Sequence, residues 1–118
     1  MPPSRLARLA PLAAAVVAGV LVLAGCNSSG VATPTDPVLA KGQTIYQNRC
    51  QNCHGARGQG GTGFKLGGGV SAQKFPNIAD MEKVIREGRP RTAMPAWQGV
   101  LSDEEINAVA RYAQSLPG

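Results

Sequence analysis

Apolar residues recur along the chain in four patterns, and each predicts a different kind of segment. The first is an uncharged apolar run over 9–25, preceded by Arg5 and Arg8. In the second, Leu39, Gly42, Ile45 and Tyr46 fall near one face of a helix predicted over 38–49. Gly42 in its middle costs about 1 kcal/mol relative to Ala, so it is expected to admit close approach of another helix. The third places Met81, Val84 and Ile85 on one stripe of a helix that Asn77 caps and Gly88 stops. The fourth is the best defined. Ser102 and Glu105 form a capping box, and Asp103 and Glu104 suit the helix dipole. Ile106, Val109, Ala110 and Ala113 then make a buried stripe with Tyr112 beside it.

Two segments between these patterns are predicted to be loops. The segment 58–69 holds seven glycines in twelve residues, with Phe64 and Leu66 as its only large apolar residues. It lacks the G-K-[ST] ending of a phosphate loop and follows no strand. Backbone with so little side-chain bulk can run along the edge of a flat cofactor, which makes Phe64 and Leu66 candidates to touch it. The segment 89–97 contains Pro90 and Pro95, which forbid a helix. No convincing strand appears, so the fold class is all-α with long loops.

The first apolar run changes the domain plan. A basic start followed by a short apolar run is the layout of a secretory signal peptide, and the run is shorter than the ~20 apolar residues of a spanning helix. It ends in Leu23-Ala24-Gly25-Cys26, which resembles a bacterial lipobox; in such lipoproteins cleavage precedes the cysteine, whose thiol carries a diacylglycerol. The resulting division is 1–25 lipoprotein signal peptide, 26–37 acylated Cys26 and flexible tether, and 38–118 a single domain. An ordinary cleaved signal with an incidental cysteine, and an uncleaved marginal anchor, are the alternatives.

Composition narrows the function classes. The chain carries +5 formally, but ten basic and seven acidic residues from Cys26 onward leave +3. That balance gives no strongly basic face and excludes a nucleic-acid partner. Aromatic residues make up only 4%, so a domain of roughly 80 residues is marginal on its own core and needs apolar mass from elsewhere.

The chemistry is carried by Cys50-Gln51-Asn52-Cys53-His54. C-x-x-C-H is the c-type haem attachment motif: each thiol adds to one porphyrin vinyl group, and the histidine becomes the proximal iron ligand. A redox dithiol needs a βαβ setting that is missing here, and structural zinc needs about four ligands. A plain disulfide is the remaining alternative. One hypothesis uses all three cysteines, with Cys26 acylated and Cys50 and Cys53 holding haem. His54 is the only histidine, so the other axial position falls to methionine, lysine, water or nothing. Met81 lies on an apolar helical stripe and reads as core packing. Met94 sits in a loop between small Ala93 and rigid Pro95, and is the favoured ligand.

Taken together, C-x-x-C-H, a glycine-rich loop, Met94-Pro95 and a capped last helix resemble a small bacterial class I cytochrome c. The resemblance covers about 39–116. It implies that the first and last helices cross, with Gly42 meeting Tyr112 and Tyr46 one turn from Gly42. It implies that Trp97 packs near the haem propionate edge and that Arg89 or Arg91 pairs a propionate. Where the family commonly has Gly-Pro before the loop leucine, this chain reads Gly63-Phe64-Lys65-Leu66. The Phe64 carbonyl is therefore the candidate acceptor for the proximal histidine.

The implied function is outer-sphere electron transfer by one covalent haem c, with His54 and Met94 on the iron. The protein is expected to be an electron carrier and a monomer, without a small-molecule substrate. It is expected on the periplasmic side of a membrane, held by lipid on Cys26 and meeting redox partner proteins through the haem edge beside Cys50 and Cys53. Two alternatives stand beside the free carrier. One is a dedicated cytochrome subunit of one oxidoreductase complex; the other is a haem enzyme or gas sensor with a displaceable Met94.

Overall fold

Asp36 accepts hydrogen bonds from the N–H groups of Val38 at 2.8 Å and Leu39 at 3.1 Å. Pro37 has no N–H to satisfy, so helix α1 (Pro37–Arg49) starts one residue before the predicted position. The computed structural model describes residues 30–118. The expected signal peptide, Cys26 and the first residues of the tether lie outside them.

Four further helices follow: α2 (Gln51–His54), α3 (Val70–Lys74), α4 (Ile78–Glu87) and α5 (Asp103–Ser115). Asn77 caps α4 and Gly88 ends it, while the Ser102–Glu105 capping box starts α5. Among the described residues there is no strand, only an isolated bridge between Gln98 and Leu101. No described helix is long and apolar enough to cross a membrane.

The frame is the crossing of α1 on α5. A Cβ placed on Gly42 would overlap the Ala108 carbonyl oxygen and lie 2.7 Å from the Tyr112 Cβ. The missing side chain lets the two backbones meet. Tyr46 and Tyr112 lie buried beside that contact, with ring centroids 5.5 Å apart in an edge-on arrangement. Such a pair contributes about 0.5–1.5 kcal/mol beyond its burial. Met81 and Ile85 of α4 join Ile106, Val109, Ala110 and Ala113 of α5 in the same core. The ion pairs Lys41–Glu104 and Arg86–Asp103 flank it at the exposed surface, where each is worth at most about 1 kcal/mol.

Two local features depart from the sequence pattern. Helix α3 follows directly on the glycine-rich segment and is tied to α5 by the Ser71 hydroxyl, buried against the Ala113 carbonyl, and by Gln114 donating to the Phe75 carbonyl at 2.9 Å. Gln43, buried on α1, donates to the carbonyls of Val31 and Ala32 at 3.4 and 3.1 Å. Part of the tether segment thus lies against α1.

Candidate haem site

The motif forms a single helical turn directly after α1. The N–H groups of Cys53 and His54 both bond the Cys50 carbonyl, at 3.2 and 3.0 Å. The Tyr46 hydroxyl donates to the Gly55 carbonyl at 2.8 Å, so the frame helix also grips the residue after the motif. Burial is the largest cause raising the Tyr46 pKa, and burial followed by the neighbouring Cys53 pushes the Cys50 thiol up to about 11. Cys50 is half-buried and Cys53 is exposed, and no disulfide joins them.

The glycine-rich segment is stitched onto this turn by its backbone. Gly60 donates to the His54 carbonyl at 2.8 Å and Gly63 to the Cys53 carbonyl at 2.7 Å. Leu66 and Gly67 both donate to the Gly58 carbonyl, and Gly68 donates to Leu116 at the chain end. Gly63 lies against the imidazole itself: a Cβ there would stand 2.8 Å from His54 Nδ1 and 2.9 Å from Cε1. The Phe64 carbonyl is 2.7 Å from His54 Nδ1. A carbonyl can only accept, so Nδ1 carries the proton and Nε2 is left with its lone pair. This chain supplies the bond without the family's proline, because the acceptor is main chain.

The segment 89–97 folds back on the end of α4. Arg89 donates to the Met94 carbonyl at 3.1 Å, Trp97 to the Ile85 carbonyl at 3.2 Å and Gln98 to the Arg86 carbonyl at 3.1 Å. The Met94 N–H donates to the Thr92 hydroxyl at 3.2 Å. A Cβ on Gly88, which has φ 69°, would press within 2.6 Å of Pro95 and Ala96. Only glycine allows α4 to stop where this loop begins.

These pieces enclose a cavity of about 420 Å³, within the ~300–1,000 Å³ typical of ligand sites. Cys50, Cys53, His54, Phe64, Leu66, Met94 and Trp97 all border it, so the structure brings every candidate haem residue to one place. Met81 borders it too, while buried in the core at 4% exposure. Arg89 is at the cavity; Arg91 is not among its lining residues. Sequence reasoning missed Arg49, Lys74 and Phe75, which also border it. Arg49 closes the helical stripe of α1 and lies 6.0 Å from the Trp97 ring centroid.

The donor set and lining fit a haem. Apolar side chains dominate the walls, two thiols and an imidazole with a free Nε2 face one space, a thioether borders it, and three cations line it without any carboxylate. Among the described residues, no cluster of His, Cys, Asp and Glu resembles a conventional metal site. An apolar cavity without acids suits a large ring that carries its own carboxylates and brings its own iron.

Comparison with known proteins agrees with this chemistry. Residues 37–112 match the family described as Cytochrome C oxidase, cbb3-type, subunit III. The chain is 36% identical over 78 residues to the dihydro-heme d1 dehydrogenase of Pseudomonas aeruginosa, an overlap of 66% of this chain and 15% of that protein. It is 35% identical to chloroplastic cytochrome c6 of Chlamydomonas reinhardtii, across 90% of this chain and 71% of that protein. Among solved structures, the c-type cytochrome NirC superposes with a TM-score of 0.54 at 28% identity, over 68% of this chain and 92% of that one. Several curated relatives are much longer than the matched region, which is 31% of one cbb3-type oxidase subunit CcoP. The chain has the class I cytochrome c fold and belongs to the cbb3-type subunit III family, as a c-type cytochrome carrying covalently bound haem c.

Proposed function

We propose that this protein is a lipid-tethered, single-electron carrier in which Cys50 and Cys53 hold the haem covalently and His54 and Met94 ligate its iron. The observation that carries this reading is the His54 Nδ1–Phe64 carbonyl bond of 2.7 Å in a cavity that Met94 also borders. Haem c supplies an iron that alternates between ferrous and ferric states, with thioether ligation favouring the ferrous form.

The residues act by holding and excluding. Phe64 fixes the imidazole tautomer and orientation and makes Nε2 the more basic donor. The backbone bonds from Trp97 and Gln98 keep the Met94 loop on α4, and the Arg89 N–H closes that loop on the Met94 carbonyl, so the thioether is held in place. Leu66, Phe75, Met81, Val84 and Ile85 keep water from the site. Arg49 and Arg89 would meet the propionates.

Cys26 would hold the domain at the periplasmic face of a membrane, raising its effective concentration towards membrane-bound redox partners. A second reading, a dedicated subunit of one oxidoreductase complex, is favoured by the names of its relatives, an oxidase subunit and a dehydrogenase. Co-purification with one partner enzyme in mild detergent would select it over a free carrier.

Potentiometric titration tests the ligand assignment. Met94→Ala is expected to lower the reduction potential and open the iron, while Met81→Leu leaves both unchanged. A potential that moves with Met81 and not with Met94 contradicts it. Cys26→Ser should release the protein from membranes; retention would point to an uncleaved anchor.

A further inference from the structure

Gln43 is a polar side chain in the middle of α1, yet it is only 4% exposed. Its amide donates to the carbonyls of Val31 and Ala32 at 3.4 and 3.1 Å, residues that precede the helix. Val31 and Pro34 are half-buried as well. The segment 31–36 therefore turns back along α1, and meets it about 9 Å up the helix axis from Pro37. Gly30, next to this contact, is exposed, and nothing among the described residues lies within 4 Å of the place a Cβ would take.

This contact changes how far the domain can stand from Cys26. A tether free as far as Pro37 has eleven peptide steps, each at most ~3.6 Å, and a reach of about 40 Å. Held at Val31, it has five steps and a reach of about 18 Å. A domain of roughly 80 residues is about 30 Å across. The longer reach lets any side of the domain turn towards a surface that holds Cys26; the shorter one does not. Charge gives no competing preference on this side. Between 30 and 48 the only charged side chains are Asp36, which caps α1, and Lys41, which is paired with Glu104.

We infer that Gln43 clasps the tether and thereby sets the side of the domain, the α1 side that carries 31–34, that faces a lipid surface. The inference rests on the lipid-tether reading above and names the surface that meets the lipid. Cys50 lies seven residues beyond Gln43, about 10 Å along the axis of α1, so the clasp also holds the haem near the bilayer at a set tilt. A redox partner in the same membrane then meets the haem in one arrangement rather than many, which raises the effective concentration of that arrangement.

The test uses the ferric, lipidated holoprotein on phosphatidylcholine bilayers stacked into oriented multilayers. Electron paramagnetic resonance of the haem, recorded as the stack is turned in the field, reads the tilt. The wild type is expected to give a signal that changes with angle, at low salt and at high salt alike. Gln43→Glu removes the donor and sets a carboxylate against two carbonyls, and its signal should lose that angular dependence. Six Gly/Ser residues inserted after Asn27 leave the clasp and the core untouched but restore a reach of about 40 Å; this variant should lose the dependence too. In the Cys26→Ser holoprotein, free of lipid, NMR order parameters at 31–33 should match those of α1 and should fall in Gln43→Glu. Low order parameters at 31–33 in the parent protein would overturn the clasp and leave the carrier reading intact. So would a bound wild type without angular dependence, a dependence lost at high salt, or one that survives in both variants. A wild type that does not bind the bilayers would overturn the lipid tether and the inference with it.

Discussion

The α1–α5 crossing and the wall made by 58–69 both depend on glycine, for opposite purposes. At Gly42 the absent side chain admits the backbone of another helix, so what depends on it is the stability of the frame. At Gly63 the absent side chain admits the His54 ring, so what depends on it is the geometry of the site. The crossing is held by apolar packing of Tyr46, Val109 and Tyr112. The wall has little apolar packing and is held by main-chain hydrogen bonds. A short chain with few aromatics thus separates the task of folding from the task of gripping a cofactor.

The contrast can be broken at either end. Gly42→Ala should have the largest effect on stability, about 3 kcal/mol from overpacking against Ala108 and Tyr112. It should lower the denaturant midpoint of the holoprotein while leaving its reduced spectrum as in the wild type. Gly63→Ala should cost less, about 1–2 kcal/mol, but shift the reduction potential, because the new methyl group pushes on the His54 imidazole. If Gly42→Ala moved the potential and Gly63→Ala did not, the separation of frame and site would be wrong.

Tyr46 joins the two regions, with its ring in the crossing and its hydroxyl on Gly55. Tyr46→Phe should cost about 1 kcal/mol for the lost bond. It should also change the response to alkali. Burial raises the folded-state pKa above the ordinary value near 10. The folded protein therefore keeps a proton that the unfolded chain loses, and stability is full below about pH 10 and falls as pH rises beyond it. Tyr46→Phe should flatten that fall, as measured by denaturant midpoints from neutral to alkaline pH.

The smallest effect is expected at the α5 cap. Ser102→Ala should cost about 1 kcal/mol. The bond from the Ser102 N–H, with its hydroxyl next, holds the Glu105 pKa below the usual carboxylate range. That part of the cap is present above the ordinary carboxylate pKa and is lost as pH falls through the folded one. Ser102→Ala keeps the Ser102 N–H and should retain that acid dependence, whereas Glu105→Gln, which has no carboxylate to protonate, should remove it.

The frame was largely legible in the sequence because helix periodicity and caps are local. Asn77, Gly88, Ser102 and Glu105 mark their helix ends where the structure has them, and Gly42 announces the close crossing. The C-x-x-C-H motif and the all-α class were legible for the same reason. What was not legible depends on pairs distant along the chain. Helix α3 is a single turn after a run of glycines, held by Ser71 and Gln114 through bonds to distant backbone, and its own five residues carry no period. Lys74 and Arg49 reach the cavity through Phe64 and Trp97, partners that spacing does not reveal. The acceptor for His54 is a carbonyl, and carbonyls leave no trace in side-chain identity. Among the arginines offered for a propionate, Arg89 borders the cavity and Arg91 does not, a difference set by the turn the loop makes after Pro90.

The central claim is that His54 and Met94 close the iron on both faces. Absorption spectra of the reduced holoprotein, taken before and after carbon monoxide at neutral pH, test it most directly, with Met94→Ala measured alongside. A low-spin spectrum indifferent to the gas in the wild type, and a prompt gas-induced change in Met94→Ala, is the predicted result. Fast and complete carbon monoxide binding by the wild type would contradict it and make an accessible iron, with the chemistry of an enzyme or sensor, the better account.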